Sequence, residues 1–167
     1  MSKKLCKEEN FKELFYSFAG QLRNFVYYKS GNMAQAEDLV QDAFSKLWEN
    51  CAKVPPEKAR AYLYRVANNL FLNQVDHQKV VLKFEKRTHK DRDAESPQYL
   101  LEVEEFQQRL AEAIAALPEN QRIVFLMNRI DKKTYKEIAV ELGISEKTIE
   151  SRMHKALKTL RKIHKKV

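Results

Sequence analysis

Apolar residues recur at steps of three and four along most of the chain, and that spacing predicts helices. Phe11, Leu14, Phe15, Phe18, Leu22, Phe25 and Val26 fall on one stripe of a first helix. Gly31-Asn32 ends it and opens a second, with Asn32 as N-cap and Gln35 three residues on as a capping-box partner. Ala36, Leu39, Val40, Ala43, Phe44 and Leu47 form the next apolar face. Pro55-Pro56 breaks the chain before a third stripe of Ala59, Tyr62, Leu63, Val66, Ala67 and Leu70. The pattern then collapses into KFEKRTHKDRDAESPQ, which reads as a charged, flexible linker. Periodicity resumes with Val103, Phe106, Leu110, Ile114 and Leu117, and Pro118 opens a helix carrying Ile123, Leu126, Met127 and Ile130. No stretch alternates with period two for long enough to build a sheet. The expectation is an all-α protein of two small helical domains, residues 1–82 and 103–167, joined by a linker over 83–102.

The C-terminal domain carries the sharpest local pattern, TYKEIAVELGISEKTIESRMHKALKTL. Thr134 is placed to N-cap a helix, with Glu137 completing a capping box. Ile138, Ala139 and Leu142 face inward, and Gly143 sits where the chain must turn left-handed, which glycine does most cheaply. Ser145 caps a second helix whose buried positions are Ile149, Met153, Ala156 and Leu160. A small residue, a turn glycine and a β-branched residue at this spacing describe a helix-turn-helix. The outer face of its second helix offers Lys147, Thr148, Ser151, Arg152, His154, Lys155 and Lys158, donors suited to phosphates and base edges in a major groove. The alternative is an ordinary helical hairpin with a basic face. Caps, glycine, spacing and charge agree on DNA binding, with His154 the weakest member.

Charge strengthens that reading. The 167 residues carry a formal +8, with 31 Lys and Arg against 23 Asp and Glu, so polyanions attract the chain. Residues 105–167 hold 14 basic and 8 acidic side chains, most of the excess lying beyond Lys147. Only 3 Gly and 4 Pro argue against a turn-rich β fold. No apolar run is long enough to span a bilayer and MSKKLCKEEN lacks an apolar signal core, so no membrane insertion is expected. The two cysteines, Cys6 and Cys51, match neither a disulfide framework nor a metal-ligand spacing, which suggests a reducing cytoplasm. There is no glycine-rich phosphate loop, no metal cluster and no nucleophile triad. His77, His89, His154 and His164 lie far apart or on exposed faces. Neither an enzyme nor a cofactor or small-molecule substrate is expected.

Two further faces stay open on the residues alone. The helix AEDLVQDAFSKLWEN shows Glu37, Asp38, Gln41 and Asp42, with Phe44 and Trp48 at the edge. Acids beside large aromatics suit a basic protein partner; equally, the aromatics are core and the acids answer the helix N-terminus. The third helix carries Arg60, Tyr64, Arg65, Asn68, Asn69, Asn73, Gln74 and His77 on its polar side. Amides, aromatics and arginines suit unstacked bases, and a solvated polar face accounts for them as well.

In order, AEDLVQDAFSKLW, RAYLYRVANN, a charged linker and ALPENQRIVFLMNRIDKKTYKEIAVELGISEKTIESRMHKAL resemble the extracytoplasmic-function (ECF) group of bacterial sigma factors, over nearly the whole chain. The resemblance implies a dissociable, non-enzymatic initiation subunit that directs RNA polymerase core to promoters and assists strand opening. Glu37, Asp38, Gln41, Asp42, Phe44 and Trp48 would then face the clamp helices of the largest polymerase subunit, and the C-terminal domain would meet the flap of the second-largest. Arg65, Asn68, Asn69, Asn73 and Asp76 match the reader of the −10 element, with Asn69 at a position that holds a flipped base. The loop Asn50 to Lys58 corresponds to the base-pocket loop, reshaped by Pro55-Pro56. Lys147, Thr148, Ser151, Arg152, His154, Lys155 and Lys158 match the −35 reader, though Glu150 stands where relatives often have a basic residue and Tyr62 where many have Trp. An anti-sigma factor is a further candidate partner. The other reading of the same helix-turn-helix is a stand-alone regulator that binds duplex DNA without polymerase.

Overall fold

The computed structural model describes residues 4–74, 80–84 and 97–164, and among them the regular structure is helical. Helix α1 runs Glu8–Ser30, α2 Met33–Glu49 and α3 Ala59–Asn73, with a 3-10 turn at Pro56–Lys58 before α3. The second half holds α4 (Pro97–Ala115), α5 (Glu119–Arg129), α6 (Tyr135–Leu142) and α7 (Glu146–His164). Proline is favoured in the first turn of a helix, so α4 starts at Pro97 and takes up residues 97–102, which the loss of periodicity had assigned to the linker. Residues 85–96 of that linker lie outside the described residues.

Local chemistry closes α1 and opens α2. Gly31 takes φ +67°, and its N–H reaches the Tyr27 carbonyl at 2.7 Å. A Cβ at Gly31 would also lie 3.0 Å from Val80 Cγ1 and from the Val81 backbone, so two constraints require glycine there. The segment after α3 is pinned at the same place: Leu82 is buried, and the Tyr27 hydroxyl donates to the Lys83 carbonyl at 3.0 Å. Asn32 caps α2 by accepting from the Gln35 N–H at 3.0 Å. The reciprocal arm of the expected box does not form, because the Gln35 side chain turns toward Gln74 and Ser30 Oγ accepts from the Asn32 N–H.

Leu22, Phe25 and Val26 of α1, Leu39, Val40 and Leu47 of α2, and Leu63 and Ala67 of α3 make the first part of the core. Ile114, Leu117, Ile123, Leu126, Met127, Ile138, Ile149, Met153 and Ala156 make the second. Ile130, expected in that core, is half exposed because α5 ends one residue before it.

The two halves also pack on each other, α5 against α1 and α6 against α3. Their seam is polar. Buried Arg122 of α5 donates from Nε to the Tyr28 carbonyl (2.7 Å) and from a terminal nitrogen to the Lys29 carbonyl (3.3 Å), both in the last turn of α1. Its other terminal nitrogen serves Ala115, the last residue of α4, and Leu117, two residues beyond it, each at 3.0 Å. One guanidinium thus satisfies orphan carbonyls at two helix ends. Asp131 accepts from Asn24 (3.0 Å) and from the Tyr28 hydroxyl (2.8 Å), and burial, then the Asp131 charge, push the Tyr28 phenol up. Lys29 pairs with Glu119. Lys133 binds both Glu141 (2.6 Å) and the Tyr64 hydroxyl (2.8 Å), while Arg60 reaches Glu141 at 3.4 Å across the halves.

One expectation fails outright. Cys6 and Cys51 are joined in a disulfide, their Cα atoms 5.2 Å apart. Their separation of 45 residues carries no recognisable spacing; the fold brings the turn before α1 against the first residue past the C-cap of α2.

Candidate nucleic-acid interface

The helix-turn-helix forms as its local signals require. Thr134 Oγ1 accepts from the Glu137 N–H at 3.2 Å, and the Glu137 carboxylate accepts from the Thr134 N–H at 2.7 Å. Those bonds hold the Glu137 carboxyl below its usual range, the backbone N–H first. Gly143 closes α6 at φ +67°. Ser145 accepts from the Thr148 N–H at 3.1 Å, and the two hydroxyls pair at 2.7 Å. Thr148 thus shares its hydroxyl with the cap and is half-buried.

Lys147, Ser151, His154, Lys155 and Lys158 all point to solvent along one side of α7, with Glu150 exposed among them. Ile149, Met153, Ala156 and Leu160 pack the opposite side into the core. The result is a rigid basic ridge able to enter a major groove. Arg152 departs from it. It is half-buried and lines a cleft of about 920 Å³ between the halves.

The cleft also receives Arg65 and Asn68 of α3 and, from the loop before α3, Asn50, Lys53, Pro55 and Lys58. Residues that the sequence divided between two separate readers share one space. Arg65 stands with its guanidinium 5.5 Å from the Tyr62 ring centre, a cation–π contact on the aromatic that fills the tryptophan position. Asn69 and Asn73 are exposed on the same helix beyond the cleft. Asp76 and His77 lie outside the described residues. On the inner side of α3, burial and the nearby Glu141 charge push the Tyr64 phenol up, so it stays a neutral hydrogen-bonding group.

The acidic face of α2 is largely as expected. Glu37, Asp38, Gln41 and Asp42 are exposed. Trp48 is 44% exposed, its ring 4.9 Å from that of Phe11. Phe44 is the exception: at 3% exposure it packs edge-on against Phe15 (4.9 Å) and Phe11 (6.0 Å). It supports the face from behind and cannot touch a partner directly. Among the described residues, no group of three or more His, Cys, Asp and Glu could hold a metal ion, and no helix is long and apolar enough to cross a membrane.

Sequence reasoning missed Lys133 and Glu141, which position the outer faces by locking α6 onto α3. Both look like ordinary solvated charges in a basic domain, so no sequence signal marks them.

The chain matches the Sigma-70 region 2 family over residues 14–80 and the Sigma-70, region 4 family over residues 107–160. It is 32% identical to the ECF RNA polymerase sigma factor RpoE of Cereibacter sphaeroides, across 92% of this chain and 86% of that protein. Identity to the ECF RNA polymerase sigma factor SigE of Mycolicibacterium smegmatis is 27% across 89% of this chain, which spans only 59% of that longer relative. Among solved structures, the sigma factor RpoE of Bartonella quintana, crystallised with the anti-sigma factor NepR, superposes with a TM-score of 0.66 at 22% identity, covering 94% of this chain and 98% of that one. CnrH, solved with the cytosolic domain of CnrY, gives 0.64 at 21% identity, covering 95% and 90%. Both share the helical fold.

Proposed function

This chain belongs to the ECF group of RNA polymerase sigma factors, dissociable initiation subunits that direct the core enzyme to specific promoters and assist strand opening, and we propose that it does so through three sets of residues. Glu37, Asp38, Gln41, Asp42 and Trp48 on α2 engage the clamp helices of the largest core subunit. Arg65, Asn68, Asn69 and Asn73 on α3, together with Asp76, meet the unstacked −10 strand. The ridge Lys147, Ser151, His154, Lys155 and Lys158 on α7, with Arg152 beside it, meets the −35 element, while the C-terminal domain rests on the flap of the second-largest subunit. It is a cytoplasmic, non-enzymatic subunit, and an anti-sigma factor is a further partner, as the complex of the Bartonella relative illustrates.

The observation that carries this reading is the coexistence of two exposed surfaces of opposite charge, the acidic, tryptophan-edged face of α2 and the basic ridge of α7. A duplex-binding regulator has use for the second alone. A polymerase-borne reader needs both, one for a protein and one for DNA. Promoter fragments should shift in a gel only when core polymerase is added with this protein; equal binding without core would defeat the assignment. Asp42→Lys should weaken core binding by about tenfold, about 1.4 kcal/mol, with helical circular dichroism unchanged. Wild-type core affinity in that variant would remove α2 from the interface.

The α7 ridge should separate positioning from reading. Lys158 lies two turns beyond Ser151, farther from the end of the helix that enters the groove. Lys158→Ala should weaken −35 binding evenly across sequences and lower the salt slope by about one phosphate contact. Lys155→Ala should instead change the preferred bases, at about 1–3 kcal/mol per lost base contact. Selection from a randomised −35 element decides between them. Identical preferences in both variants and wild type would make α7 a phosphate clamp.

A further inference from the structure

Cys6 and Cys51 sit where a covalent bond between them has consequences for the proposed −10 site. Cys6 is exposed, in the turn before α1; Cys51 is half-buried, immediately after the C-cap of α2. From Cys51 the chain enters the loop whose Lys53, Val54, Pro55 and Lys58 line the cleft beside Arg65 and Asn68. The far end of that loop is already held, since the Lys58 N–H bonds to the Pro55 carbonyl at 2.9 Å and α3 begins at Ala59. The N-terminal turn is held too: Leu5 is buried, and the Lys4 carbonyl accepts from Asn10 Nδ2 at 3.0 Å. Leu5 and Pro56 line one small hollow against α1, so the turn already leans on the loop. The disulfide makes that contact covalent.

A subunit that works with RNA polymerase meets a compartment in which disulfides are uncommon and, when present, are usually transient and redox-sensing. An exposed cross-link is open to reduction there. We propose that Cys6 and Cys51 form a reversible thiol–disulfide site, oxidised by hydroperoxides, whose closure fixes the loop 51–58 and speeds promoter opening. The functional half of this rests on the sigma reading of the loop; the chemical half does not.

The two cysteines have unequal roles. Cys6 lies at the N-terminal end of a 23-residue helix and is flanked by Lys4 and Lys7. Cys6 is exposed whereas Cys51 is half-buried, so a peroxide in solution reaches the Cys6 sulfur first. Cys6 is therefore the attacking sulfur. Its thiolate takes the terminal oxygen of a hydroperoxide, releasing an alcohol (water from hydrogen peroxide) once one proton is supplied, and becomes a sulfenic acid. The Cys51 thiol then attacks the Cys6 sulfur, the S–S bond forms, and water leaves. Two thiols lose two electrons in all, and the peroxide gains them. A dithiol reverses the step, regenerating both thiols as it closes to its own disulfide.

The test uses the full-length protein reduced with dithiothreitol and then exposed to graded hydrogen peroxide. Thiol alkylation should show both cysteines protected together and released again by dithiothreitol. In Cys51→Ser, a sulfenic-acid probe such as dimedone should label Cys6, and in Cys6→Ser it should label Cys51 far more slowly. With core polymerase and a cognate promoter, the oxidised protein should form open complexes several-fold faster than the reduced one, at equal core affinity. Cys6→Ser and Cys51→Ser should both stay at the reduced rate and ignore peroxide. Failure to close the bond under peroxide, or preferential labelling of Cys51, would overturn the chemistry. Equal opening rates in the two redox states would overturn the loop's role. Absence of opening in every state would count against the sigma reading itself, and the alkylation readout would still judge the cysteine pair.

Discussion

Arg122→Ala should cost the fold about 3–5 kcal/mol, the range expected when a charged donor is removed from several buried acceptors. At 5% exposure, Arg122 donates to four carbonyls, those of Tyr28 and Lys29 at the end of α1 and those of Ala115 and Leu117 at and just beyond the end of α4. No water can take over all four without opening the seam. Desolvation lowers the Arg122 pKa, yet an arginine stays protonated throughout the neutral range. The loss should therefore be flat between about pH 5 and pH 9. Arg122→Lys should recover only part of it, because one ammonium cannot span two helix ends as a planar fork does. Exposed Arg129→Ala, seven residues along in the last turn of the same helix, serves as the neutral comparison. Urea unfolding reads all three. A loss under 1 kcal/mol in Arg122→Ala would mean that the halves do not depend on this seam.

Lys133→Met should be nearly as damaging. Glu141 is 1% exposed by side chain and rests on Lys133 at 2.6 Å, with Arg60 a distant second at 3.4 Å. Removing the lysine takes the short ion-pair partner from a buried carboxylate and leaves Arg60 at 3.4 Å, at a cost of about 3 kcal/mol. The pair itself contributes far less than its breakage suggests, since both ions were desolvated to make it. The double variant Lys133→Met with Glu141→Leu should therefore regain most of the stability. A double variant no better than the single would show that the charges themselves are required. The Tyr64 hydroxyl, which also bonds Lys133 at 2.8 Å, makes the effect reach α3. Loosening α6 from α3 should be visible as faster amide exchange in both helices.

These seams explain how the proposed surfaces are presented. Helix α3 cannot tilt freely because Tyr64 and Arg60 tie its inner side to α6. Arg60 also lies 3.8 Å over the Phe18 ring of α1. Its outer side, with Asn69 and Asn73, is left to solvent. The same packing turns Arg152 inward to the cleft while Lys155 and Lys158 stay outside.

What could be read along the chain was whatever a few neighbouring residues settle among themselves. The Thr134–Glu137 box, the left-handed Gly143 and the Ser145 cap each close within four residues. The apolar stripes that bury Leu39, Leu47, Ile149 and Met153 repeat every helical turn. Helix content, the helix-turn-helix and the basic ridge followed from that, and the order of motifs pointed to the family. What depended on distant chain segments meeting was closed to such reading. Trp48 has the same spacing whether it belongs to the core or, as here, stands 44% exposed with its ring against Phe11. Arg122, Lys133 and Glu141 look like surface charges until α1, α3 and α4 are placed around them. Cys6 and Cys51 become a pair only when the turn before α1 meets the end of α2. Local hydrogen bonds and helical periodicity act over a handful of residues, whereas burial and cross-linking depend on where the whole backbone goes, and only the tertiary fold decides that.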